Sequence, residues 1–148
     1  MTLMSPDESQ PVIAAVSGAH MDRPVITTAG LLAREYRASL ILLYVIEVSR
    51  KDPVEASSDA TLGSAEALLA TAERMLPAAN QVSVRTEIRQ ARSASTAIIE
   101  TSLRSQAQSV VVGAHRFLGE HECDLGDTAT HVLRHSLVPV VVCYDPIR

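Results

Sequence analysis

The chain has 148 residues, of which 47% are hydrophobic and 20% charged, and a formal net charge of -4. That length suits one domain with its own core, and the apolar content excludes disorder over most of the chain. The basic residues are scattered, with Lys51 the single lysine, so the concentrated positive face that a nucleic-acid binder needs is missing.

Residues 1–10, MTLMSPDESQ, are polar and acidic and predict a flexible tail, without the charged-then-apolar order of a secretory leader. A single domain is expected over residues 11–148. VIAAV at 12–16 is the first strand, a continuous apolar run of the kind buried on both faces of a parallel sheet. Val25, Ala29, Leu32, Ala33 and Tyr36 then mark a helical stripe, with Asp22 as its expected cap and Pro24 in the first turn. LILLYVI at 40–46 is the second strand and the longest apolar run, far too short to span a membrane.

The polar stretch at 49–63, SRKDPVEASSDATLG, breaks the alternation and predicts a mobile surface loop. A second stripe of Ala65, Leu68, Leu69, Ala72, Met75 and Leu76 is stopped by Pro77. VSVRTEI at 82–88 alternates apolar with polar, as a strand with one covered face would. A less periodic helix is expected over about 93–107, capped by Ser93 or Ser95. VVVG at 110–113 is the fourth strand. A last helix carries Ala129, Val132, Leu133 and Ser136 behind Asp127 at its cap position, and PVVVCY at 139–144 closes the sheet. Strands alternating with helices in this way predict an α/β fold, an open parallel sheet with helices on both faces. Ligands of such sheets bind beyond the carboxyl ends of the strands, which directs attention to the loops after residues 16, 46 and 113.

The loop after 113 is rich in glycine. Gly113, Gly119 and Gly126, followed by a helix, would let backbone N–H groups approach an anion, although the spacing is neither that of a dinucleotide fold nor that of a P-loop. The whole segment VVVGAHRFLGEHECDLGDTATHVLRHSLVPVVVCY resembles the C-terminal signature of the universal stress protein family. The resemblance extends to VIAAVSG, the helix after it and LILLYVIEV. It implies five parallel strands in the order 3-2-1-4-5, an adenine nucleotide alpha hydrolase-like architecture, and a homodimer formed through the strand at 139–144.

In ATP-binding relatives the signature runs glycine, two residues, glycine, nine residues, then glycine and serine or threonine. Gly113 and Gly126 match the first and third glycines, Gly119 a further glycine common in this loop, and Thr128 a position whose backbone faces the phosphates. Arg116 stands at the second glycine, Asp127 at the serine or threonine, and Ser17 where an aspartate usually lies near the adenosine. A carboxylate at Asp127 is expected to cap its own helix and to oppose a triphosphate. Like charges about 4 Å apart repel by roughly 4 kcal/mol at an effective dielectric near 20. Arg116 or a bridging Mg²⁺ would offset that repulsion.

The expectation is therefore a cytoplasmic binding module, regulatory or protective, that needs no ATP cofactor and has no membrane segment. The alternative is an ATP- or AMP-binding sensor using Ser17, Gly113, Arg116, Gly119, Gly126, Asp127 and Thr128. An adenylyl-transferring enzyme is a third reading, but its H-x-G-H phosphate signature is absent from the sequence. No catalytic set stands out: Ser17 and His20 are near in sequence only, and there is no G-x-S-x-G elbow. No metal site is expected either. His115, His121 and Cys123 lack a second pair of ligands, and His131 and His135 lack the glutamate of H-E-x-x-H. His135 is expected to be structural.

Overall fold

The computed structural model describes residues 10–53, 58–78, 81–114, 117–118, 123–124 and 126–144. Its strands are β1 (Val12–Val16), β2 (Leu40–Glu47), β3 (Val84–Ala91), β4 (Ser109–Ala114), β5 (Phe117–Leu118), β6 (Cys123–Asp124) and β7 (Val140–Tyr144). The helices are α1 (Asp22–Glu35), α2 (Asp59–Arg74), α3 (Ala94–Arg104) and α4 (Asp127–His135). Five strands form one sheet in the order β3-β2-β1-β4-β7, all parallel. This is the expected 3-2-1-4-5 order, with β7 as the fifth strand. β5 and β6 form a separate antiparallel pair within the glycine-rich loop, which the sequence reading left without structure.

The apolar runs are continuous because both faces of the sheet are covered. Val12, Ala14 and Val16 of β1 and Leu40 and Leu42 of β2 pack with Val25, Ile26, Ala29 and Ala33 of α1 and Leu69 and Ala72 of α2. The alternate residues, Ile13, Ile41, Leu43, Val110 and Val112, pack with Ile98 of α3 and Ala129 and Val132 of α4. Side chains of successive strand residues point to opposite faces, so one strand feeds two apolar layers.

Several boundaries differ from the sequence reading. β3 runs over Val84–Ala91 rather than 82–88, because its ladder with β2 continues to Glu47 and Ala91. Tyr36 is 56% exposed and caps the end of α1, while Ile26 and Gly30 join the buried face. The polar stretch at 49–63 is not all loop: Ser58 caps α2 by accepting from the Thr61 N–H at 3.1 Å, and residues 59–63 are helical. Asp22 is the first residue of α1 and makes no cap to it; the cap position is Met21. Asp127 likewise lies inside α4, whose cap position is Gly126 with no side-chain hydrogen bond. Ser93 is the cap of α3, accepting from the Thr96 N–H at 3.2 Å.

The ends of α1 and α3 share a feature that no glycine announces. After each helix one residue turns left-handed, Arg37 at φ 54° and Gln106 at φ 51°. The Ala38 N–H then donates to the Ala33 carbonyl at 2.8 Å, and the Ala107 N–H to the Ser102 carbonyl at 2.9 Å. These bonds close a Schellman turn that sends the chain straight into the next strand. Among the described residues no helix is long and apolar enough to cross a membrane.

Candidate functional site

The sheet opens at its carboxyl end. β1 pairs with β4 only from Val12–Ser109 to Ala14–Val111, and each then leaves the other's side. β1 pairs with β2 as far as Val16–Tyr44, whereas β2 continues to Glu47 beside β3. This divergence lies where the strand order reverses, at β1 and β4, and it makes a crevice of about 390 Å³. Leu43, Ile98 and Ala129, nearly buried in the core, and the half-buried Val45 form its apolar wall, and Ser17, Gly113, Gly126, Asp127 and Thr128 all line it. Five of the seven expected site residues therefore meet in one place. Arg116 and Gly119 lie outside the described residues, as do His115 and His121.

Each glycine has its own reason. A Cβ at Gly113 would lie 3.0 Å from Met21 Cβ and 3.3 Å from Val25 Cγ2, so a side chain here would push these neighbours back by a few tenths of an ångström. Gly126 has space around it but sits at φ 88°, ψ 160°, a backbone region that is essentially glycine's alone. That turn delivers Asp127 and Thr128, both exposed, to the edge of the crevice.

Two carboxylates that the sequence reading did not assign to the site also line it. Asp22 is only 4% exposed. Its Oδ2 accepts from the Gly18 N–H at 2.7 Å and its Oδ1 from the Ser17 N–H at 2.9 Å, with the Ser17 hydroxyl 3.4 Å away. Asp22 therefore pins the turn between β1 and α1 rather than capping the helix. Glu47, at the end of β2, accepts through Oε1 from the Ala94 N–H at 2.9 Å and so holds the first turn of α3. A mid-sequence aspartate and a strand-end glutamate carry no local motif; only the spatial meeting of their elements reveals them.

The Ser17 hydroxyl donates to Asp22 Oδ1 at 3.4 Å. His131 and His135 stack at 4.4 Å between ring centroids on an exposed part of α4. Among the described residues no group of three or more metal-ligating side chains comes together.

The model of the universal stress protein family matches residues 8–143. A search of curated proteins returns no match. Solved structures of the family share the fold. A universal stress protein from Archaeoglobus fulgidus superposes with a TM-score of 0.74 at 15% identity, covering 90% of this chain and 97% of that one. The same organism's protein in complex with dAMP gives 0.71 at 15%, covering 90% and 96%. A universal stress protein in complex with cAMP gives 0.67 at 20%, covering 92% and 97%.

Proposed function

This chain belongs to the universal stress protein family, and from that membership we propose that it is a regulatory or protective module that acts by binding, without catalysis and without dependence on ATP. The observation that carries this reading is the charge of the crevice. Asp22, Glu47 and Asp127 line it, and no basic side chain does so among the described residues. A triphosphate would bring further negative charge into that space, where like-charge contacts cost roughly 1–4 kcal/mol each across the range from bulk water to a protein surface.

A nucleotide-sensing reading has its own support. The crevice is open, Gly113 and Gly126 line it, and relatives of the same fold hold cAMP and dAMP. Equilibrium binding of ATP, ADP, AMP and cAMP, with and without Mg²⁺, separates the two. The parent chain is expected to leave ATP unbound at micromolar concentrations, and the Arg116→Gly/Asp127→Ser variant to gain affinity. Micromolar ATP binding by the parent would establish the sensor instead. ATP turned over to AMP above a matched blank would establish an enzyme.

The same reading carries a cytoplasmic location and a homodimer joined through β7. β7 lies at the edge of the sheet, and Leu133, Leu137 and Tyr144 expose apolar surface on α4, after it and at the strand's end. Sedimentation at increasing concentration is expected to give the mass of two chains; a monomer throughout would remove the dimer.

A further inference from the structure

We infer that the outer edge of β3 is a self-complementary surface that pairs, antiparallel and about a two-fold axis at Thr86, with β3 of a second copy of this chain. The inference concerns the edge of the sheet opposite β7 and holds whether or not the crevice binds a ligand.

β3, with the sequence VRTEIRQA, ends the sheet and has β2 as its neighbour there. The Leu40 N–H donates to the Ser83 carbonyl and the Val48 N–H to the Ala91 carbonyl, so the backbone groups of Ser83, Ala91 and the odd-numbered residues between them face β2. Backbone groups of successive strand residues point to opposite sides, which directs those of Val84, Thr86, Ile88 and Gln90 outward. Natural sheets blunt such an edge with proline, lysine, a bulge or a very short strand. β3 has eight residues, no proline or lysine, and an unbroken register with β2 from Val84 to Ala91.

The charges of β3 alternate in sign instead of repeating one. Glu87 lies 3.6 Å from Arg85 and 3.4 Å from Arg89, longer than a normal hydrogen bond, and the Arg85 side chain is 57% exposed. Pairing through the outward groups matches even-numbered residues with even-numbered ones, which leaves few registers. Centred on Arg85, it sets that arginine against itself. Centred on Glu87, it sets Glu87 against itself and Arg85 against Arg89. Centred on Thr86, it sets Arg85 against Glu87 of the second copy twice over, in the closer, non-hydrogen-bonded pairs. On the other face Val84 then meets Ile88, and Thr86 meets Thr86. Centred on Ile88, Glu87 meets Arg89, but the exposed Arg85 meets Ala91 and Thr86 meets Gln90. Only at Thr86 do the charged and the apolar pairs agree.

The test is disulfide trapping in the full chain, in a Cys123→Ser/Cys143→Ser background. Opposed residues of a hydrogen-bonded antiparallel pair have Cα atoms about 5.5 Å apart, within disulfide reach. Thr86→Cys is therefore expected to give covalent dimers under mild oxidation, rising with chain concentration and in clear excess over Ser64→Cys, an exposed position on α2. β7 lies at the opposite edge of the sheet, so association through it cannot bring two Thr86 residues together. Arg85→Glu turns both attractive pairs into repulsive ones and should cut trapping by about tenfold, and Arg85→Glu/Glu87→Arg should restore it. Trapping at Thr86 no greater than at Ser64 would overturn the inference, as would trapping indifferent to Arg85→Glu or not restored by the double exchange. Stronger trapping through Ile88→Cys than through Thr86→Cys would overturn it too, because the axis would then lie at Ile88.

Discussion

Gly113 and Gly126 lie thirteen positions apart and are both needed, but replacing them should fail differently. Alanine at 113 would press on Met21 and Val25, so the cost, about 1–3 kcal/mol, arises from overpacking between β4 and α1. Alanine at 126 meets no atom; its cost, again about 1–3 kcal/mol, arises from the backbone angle alone. Urea unfolding of the two variants measures both. Val25→Ala should cost less in the Gly113→Ala background than in the parent, because it removes the Cγ2 atom that the new Cβ meets at 3.3 Å, whereas no trimmed neighbour should recover the second loss. Asp22 poses a third residue-scale question. Asp22→Ala leaves the Ser17 and Gly18 N–H groups without their acceptor and should cost about 1–3 kcal/mol in the same experiment. An unchanged midpoint would mean that water replaces the carboxylate and that the turn needs no pin.

At the scale of elements, α2 and α3 are stabilised at their starts by serine, and α1 and α3 are strained at their ends. Ser58→Ala and Ser93→Ala each remove an acceptor for a first-turn N–H and should cost about 1 kcal/mol. Conversely, Arg37 and Gln106 hold left-handed angles that a side chain opposes, in Schellman turns where glycine is the usual occupant. Arg37→Gly and Gln106→Gly should therefore raise stability by about 0.5–1 kcal/mol each, the relief of strain exceeding the added entropy of the unfolded chain. A lowered denaturation midpoint would show that the arginine and glutamine side chains stabilise the fold by other contacts. The edge positions of β3 and β7 follow from the same strand order. β3 compensates for its partial cover with charge: Glu87 lies 3.6 Å from Arg85 and 3.4 Å from Arg89 along one face.

For the whole molecule, stability should concentrate where both layers meet. Ile13, Ile41, Leu43, Val110 and Val112 are at most 1% exposed, and β1 and β2 lie between two other strands each. Native-state hydrogen exchange should find the slowest amides in β1, β2 and β4 and faster ones in β3 at the edge. Ile13→Ala should cost about 2–5 kcal/mol, since both its own burial and the filling of the cavity are lost. The crevice is a consequence of the same layout. A sheet whose order turns at β1 must part its strands there, so the site exists before any loop residue is chosen.

The sequence by itself determined the elements and the two-faced sheet, because continuous runs such as LILLYVI are explained only by burial on both sides. Through resemblance it also supplied the strand order and five residues that now line one crevice. It misplaced Asp22 and Asp127 as helix caps, since an aspartate before a helical stripe reads the same whether it bonds its own helix or the turn behind it. Glu47 escaped notice because its partner, Ala94, lies 47 positions away. Which way a carboxylate turns, and which distant N–H it answers, depends on where neighbouring strands end. For Asp22 those N–H groups are only four and five positions away, whereas Glu47 meets Ala94 only because the packed sheet brings the two within hydrogen-bonding distance.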